Sequence, residues 1–186
     1  MRRWVRNKRW IRNKRKKTNN DNKKTDNDLI VVSSKEYKKE YNYLNHYINM
    51  PWLIEIFKEC EVTLAGGAIN SLFTNSEIHD LDLYFKSKED LFKFVYKVHK
   101  NRGFIQYHIT DKSLTFCINN VLIQCIYFEY FNDIQDLFRS FDFTVCMGAF
   151  DFKSDNFIFD KRFFKDNTSR RIVINNTTAF PIVSGI

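Results

Sequence analysis

The chain has 186 residues, which fits one domain with appendages, and its 44% hydrophobic content, with 19 Phe and 9 Tyr, is ample for a core. No apolar run reaches the roughly 18 residues of a membrane span, and the basic N-terminus lacks the apolar segment of a secretory signal. A membrane partner and secretion are therefore not expected, and a cytoplasmic protein is. The net charge of +8 is unevenly spread: residues 1–24 hold twelve Lys/Arg against Asp21 alone, a balance of +11, which leaves −3 for residues 25–186.

Residues 1–34 read as a basic, disordered tail, since they offer too little apolar area to fold alone. The tail contains a short repeat, Arg3-Trp4-Val5-Arg6-Asn7-Lys8 and then Arg9-Trp10-Ile11-Arg12-Asn13-Lys14. Six residues of helix rotate by about 600°, so Trp4 and Trp10 fall on different faces, which argues against a membrane-surface helix. An extended arm suits the pattern better, with Arg3 and Arg9 on the phosphates of RNA or DNA and Trp4 and Trp10 stacked on bases. A polybasic extension or targeting signal without that role has the same composition.

Residues 35–186 read as one folded domain of the mixed α/β class. Lys35 to Cys60 forms one or two helices broken near Pro51, with Trp52, Leu53, Ile56 and Phe57 on the apolar face of the second. Glu61 to Ala65 is a short strand. Gly66-Gly67 then opens a short helix with Ile69, Leu72 and Phe73 at helical spacing. Glycine permits positive φ and close backbone approach, and a helix N-terminus attracts an anion. A plain strand-to-helix turn has the same glycines.

Ile78 to Phe85 alternates, with Asp80, Asp82 and Tyr84 on one phase and Leu81, Leu83 and Phe85 on the other. A period of two reads as a strand with one buried face. Asp80 and Asp82 then point the same way, roughly 7 Å apart. Each disfavours ionisation of the other, and a hard cation, Mg²⁺ or Mn²⁺, relieves that repulsion while taking its other oxygens from water and phosphate. A solvated acidic edge strand gives the same alternation.

Lys88 to Asn101 is an amphipathic helix (Leu91, Phe92, Phe94, Val95, Val98) ended by Gly103. Phe104–Ile109, Leu114–Ile118 and Val121–Phe128 are β-rich, and Asn119-Asn120 is a two-residue hairpin turn. Phe131 to Phe138 is a short helix in which Asp133 and Asp136 face solvent. Thr144–Asp151 and Asn156–Asp160 form a second hairpin. Cys60, Cys117, Cys125 and Cys146 show no Cys-x-x-Cys pairing and read as reduced core residues. His79, next to Asp80, is a loop residue within reach of a phosphate.

Strand, Gly66-Gly67, helix, and then Asp80-Leu81-Asp82-Leu83 resembles the signature of the DNA polymerase beta-type nucleotidyltransferase superfamily. Within it the likeness is to the head domain of CCA-adding enzymes and bacterial poly(A) polymerases. Asp142-Phe143-Thr144-Val145-Cys146-Met147-Gly148-Ala149-Phe150 resembles their Arg-Asp-Phe-Thr block, Phe157 to Asp160 their following strand, and Asp166 to Ile172, with Arg170 and Arg171, their closing element. The resemblance covers roughly residues 50–175. It implies a nucleotidyltransferase-like mixed β-sheet with helices packed against it. It also implies a Mg²⁺-dependent transfer of a nucleoside monophosphate from an NTP to a hydroxyl of RNA or another acceptor. In that reading Asp80 and Asp82 are catalytic and hold Mg²⁺ or Mn²⁺, and Gly66, Gly67, Asn70, Asp142 and Arg171 bind the nucleotide. Asp142 also reads as a cap, and Arg170 and Arg171 as surface charges.

The departures are specific. The family's Arg-Asp after the glycines is Asn70-Ser71, its Arg before Asp-Phe-Thr is Phe141, and the strand that carries a third acid in much of the superfamily has Gln124. Two other classes fit such a head: a catalytically degenerate one that binds nucleotide or RNA, and a toxin–antitoxin-type nucleotidyltransferase that modifies a protein.

Overall fold

The structure, a computed structural model, describes residues 29–103 and 105–175. Arg3, Trp4, Arg9 and Trp10 of the basic repeat lie outside the described residues.

Eight strands form one mixed sheet. They are β1 (Leu29–Ser33), β2 (Thr63–Ala65), β3 (Leu81–Tyr84), β4 (His108–Ile109), β5 (Ser113–Ile118), β6 (Val121–Ile126), β7 (Gly148–Asp151) and β8 (Asn156–Asp160). The order across the sheet is β1-β8-β7-β2-β3-β6-β5-β4. The β3–β6 pair is parallel, and the other pairs are antiparallel. Six helices pack on it: α1 (Lys38–Ile48), α2 (Pro51–Glu59), α3 (Gly67–Thr74), α4 (Lys88–Arg102), α5 (Ile134–Ser140) and α6 (Arg162–Thr168).

Local chemistry sets most boundaries. α1 ends at Asn49 in the left-handed region, and Pro51 opens α2 as its first residue, where its missing N–H costs nothing. Ser87 caps α4 by accepting from the Asp90 N–H, and Gly103 ends it at φ 73°. Asn119 and Asn120 take φ 50° and 66°, the two positive values a tight β5–β6 hairpin needs.

The main core lies between the sheet and α1–α4. Phe57, Phe94, Phe150, Phe157, Phe159 and Phe163 are fully buried there. Phe73 meets Phe157, Phe159, Phe163 and Phe164 edge-on at 5.0–5.9 Å between centroids, the arrangement that ring quadrupoles favour. A smaller core on the opposite face sets α5 (Leu137, Phe138) against Ala65, Tyr84 and Ala149. It covers that face over β7, β2 and β3.

Four expectations need correction. The tail boundary at residue 34 is too late, because Leu29–Ser33 pairs in register with β8; its β-branched LIVVS run forms a strand. Phe92 is 58% exposed under Lys88, while Leu91, Phe94 and Val98 form the buried stripe. The β-rich reading of 104–109 shrinks to His108–Ile109. Cys117 is an exposed free thiol, unlike the buried Cys60 and Cys125. Among the described residues no helix is long and apolar enough to cross a membrane.

Candidate nucleotide and metal site

β2 ends beside the middle of the sheet and turns into α3 through Gly66. Its φ of 84° and ψ of −133° suit glycine, and a Cβ there would stand 3.8 Å from Asp82 Oδ2 and 4.0 Å from the Phe141 ring. The Gly66 N–H still donates to the Gly148 carbonyl at 3.1 Å, so the ladder runs up to the turn itself. Gly67 is exposed, and a Cβ on it would meet nothing within 4 Å. No side chain caps α3, so its first N–H groups remain for water or an anion.

Asp82 lies in β3, and Asp80 precedes the first residue of that strand. The strand is shorter than the alternation suggests, yet both carboxylates stay together. Burial first, and then the Asp80 charge, push the Asp82 pKa from 3.8 up to about 6. Across the parallel ladder Gln124 stands opposite Asp82. Its Nε2 donates to Asp80 Oδ2 at 2.5 Å. Tyr47 of α1 is a neighbour that sequence reading missed: burial, and then Asp80, hold its pKa up. Nothing in its helical context marks it.

Asp142 reaches the same neighbourhood. Burial raises the Cys146 pKa, with Asp142 and Asp82 adding to it in that order, so the thiol lies near both carboxylates. The Asp142 carbonyl accepts the Asn175 N–H at 2.7 Å. The Asn175 side chain donates to the Phe138 and Phe141 carbonyls at 3.1 and 2.8 Å. The loop carrying Asp142 is thus pinned by a fully buried asparagine that no local pattern points to.

Asn70 and Arg171 come together elsewhere. With Arg170, Val145, Asp166 and Thr74 they line a cleft of about 720 Å³ between α3 and α6. The Asn70 N–H donates to the Gly66 carbonyl, so this cleft begins one helical turn from the glycine turn. The Asn70 Oδ1 is buried without a hydrogen-bond partner among the described residues, which leaves an acceptor ready for a donor. Asp166 lies in the cleft wall, and its Oδ2 accepts from the buried Thr144 hydroxyl at 2.6 Å. That bond ties the Asp-Phe-Thr block to the closing element.

Among the described residues no group of three or more His, Cys, Asp or Glu side chains gathers to hold a metal. Asp80 and Asp82 are a pair of hard oxygen donors, and a cation held there would need its other ligands from outside the chain.

Residues 34–170 match the Gabija anti-defense 2 family. The chain belongs to that family. A curated relative, "Gabija anti-defense 2" of Bacillus phage SPbetaL7, is 42% identical over 148 residues, which is 80% of this chain and 36% of the relative. The chain therefore spans about a third of that family member. Among solved structures it is similar to a CCA-adding enzyme in its apo form I (TM-score 0.61, 15% identity), covering 81% of this chain and 37% of the enzyme. It is also similar to the Thermotoga maritima CCA-adding enzyme complexed with tRNA (TM-score 0.58, 17% identity), again covering 81% and 37%. A CCA-adding enzyme in complex with ATP superposes at TM-score 0.59 with 17% identity, covering 81% and 38%. At these identities the likeness shows the fold, which is that of a nucleotidyltransferase head.

Proposed function

We propose that this family member binds an NTP with one divalent cation at the Gly66–Asp82 junction. It then transfers the nucleoside monophosphate to a hydroxyl acceptor, RNA or another molecule. The supporting observation is the approach of an uncapped helix start to two carboxylates, with Gly66 beside Asp82 Oδ2. A triphosphate laid on the α3 N-terminus meets backbone donors, and Arg171 and Asn70 extend the polar surface along the cleft. Asp80 and Asp82 hold the cation, Mg²⁺ or Mn²⁺, whose charge offsets that developing on the leaving pyrophosphate. Asp142 then accepts from the sugar or base in this reading.

The relative's printed name describes an agent against the Gabija defence, and we infer the same biological role for this chain. Binding without transfer is a second reading, favoured by the neutral Gln124 beside the pair. Calorimetry of MgATP with the full chain and with Asp80→Asn/Asp82→Asn tests the site. Mg²⁺-dependent binding that the double variant abolishes, with the fold retained, is the expected result. ATP binding that is indifferent to Mg²⁺ and to both aspartates would sink the proposal. Product analysis with labelled NTP and RNA then separates transfer from binding alone.

A further inference from the structure

Gln124 is the one polar side chain that faces the carboxylate pair from the neighbouring strand. The β3–β6 register sets it opposite Asp82, and its amide reaches past that residue to Asp80 Oδ2 at 2.5 Å. It is partly buried, as are both aspartates. The flanking β6 residues Ile123 and Cys125 are fully buried on the other face, so the strand cannot slip to present a different side chain there.

We propose that Gln124 limits this site to a single cation. The inference rests on the nucleotide reading above and goes beyond it. Two carboxylates carry two negative charges, which one divalent cation balances. A second cation, roughly 3.5–4 Å from the first in two-metal sites, requires a further anionic oxygen to offset the repulsion. Gln124 brings no charge. Its N–H donates to Asp80 Oδ2, so that oxygen already carries the positive end of the amide dipole. The hydrogen bond also satisfies Asp80 in the absence of metal, which lets the two like charges coexist. Among the described residues no other acid takes the place: Glu77 is exposed on the loop before Asp80, Asp142 lies by Cys146, and neither joins the pair in a cluster of three.

The isosteric exchange Gln124→Glu changes the charge and little else. The experiment counts Mn²⁺ by electron paramagnetic resonance on the full chain, saturated with a non-hydrolysable α,β-methylene ATP. The wild type is expected to hold one Mn²⁺ per chain. Gln124→Glu is expected to hold two, with the line broadening of a coupled pair. Two Mn²⁺ in the wild type, or one in the folded variant, overturns the proposal. No Mn²⁺ in the wild type removes the nucleotide reading and this inference with it. If Gln124→Glu does not fold, the shorter acid Gln124→Asp takes its place in the same experiment, again with two Mn²⁺ expected, and one Mn²⁺ in that folded variant overturns the proposal.

Discussion

The two halves of the sheet are built differently. From β7 to β3 the sheet has helices against one face and α5 against the other, and β7 reads buried at Gly148, Ala149 and Phe150 in succession. From β6 to β4 the described residues cover only one face. β6 alternates buried Val121, Ile123 and Cys125 with Leu122, Gln124 and Ile126, which keep contact with solvent. Continuous burial marks a strand enclosed on both sides, and alternation marks one with a free face. The candidate site sits on the border, where the α5 layer stops. One side supplies rigidity and the other supplies access.

Substitutions on either side of that border should differ sharply. Phe159→Ala, in the enclosed half, is expected to lose about 3–5 kcal/mol. Leu122→Ala, in the open half, is expected to lose less than about 1 kcal/mol, since Leu122 is 37% exposed. Urea denaturation compares them directly, and equal losses would erase the distinction.

Gly148→Ala comes next. Its Cβ would lie 2.7 Å from Ile69 Cγ2 and 2.9 Å from Phe163 Cε2, and overpacking of that kind costs about 1–3 kcal/mol. Gly67→Ala, with open space at its Cβ, should leave stability nearly unchanged. The thermal midpoints of the two variants provide the check.

At the border itself the effect depends on pH. Asp82 is an acid whose pKa rises on folding to about 6. The folded chain therefore keeps a proton that the unfolded chain has lost, and stability falls as pH rises from about 4 to about 6. Asp82→Asn removes that penalty. The cation-free variant should be more stable than wild type by about 1–3 kcal/mol at pH 8, and the two should converge at pH 4. Urea midpoints at both values test this, and a variant less stable at pH 8 would contradict it.

The smallest effect belongs to Glu61, which ion-pairs with Lys86 at 2.8 Å and with Lys153 at the far edge of the site-bearing strands. Hydrogen bonds from Lys153 and then Lys86 pull its pKa down to about 2. Its stabilisation is therefore present above about pH 4.5 and fades as pH falls toward 2. On an exposed surface it amounts to at most about 1 kcal/mol. Glu61→Gln, compared with wild type in low and high salt, should show a difference only in low salt.

What could be read from the sequence follows the range of the forces involved. The α1–α2 break at Pro51, the α4 stop at Gly103 and the Asn119-Asn120 turn are decided within a few residues, so local chemistry exposes them. The Gly66-Gly67 turn and the Asp80/Asp82 pair are also local, and both could be named in advance. The Gln124–Asp80 bond joins residues 44 apart. The Asn175 clamp on Phe138 and the Thr144–Asp166 bond likewise depend on where distant segments meet. Phe92 faces solvent because the apolar face of α4 is narrower than its apolar content, and Cys117 is exposed because the α5 layer stops short of β5, which nothing local announces.

β1 pairs with β8 in register, Leu29 opposite Asp160 and Ser33 opposite Asn156, so its first residue waits for a partner 131 positions later in the chain. At 5–20 residues per second, translation takes roughly 7–26 s to supply that partner. During that interval the apolar Leu29-Ile30-Val31-Val32 segment emerges from the ribosome as a strand without a neighbour. Newly made chains of this protein therefore pass through a stage in which two of them, side by side, can satisfy each other before either satisfies itself.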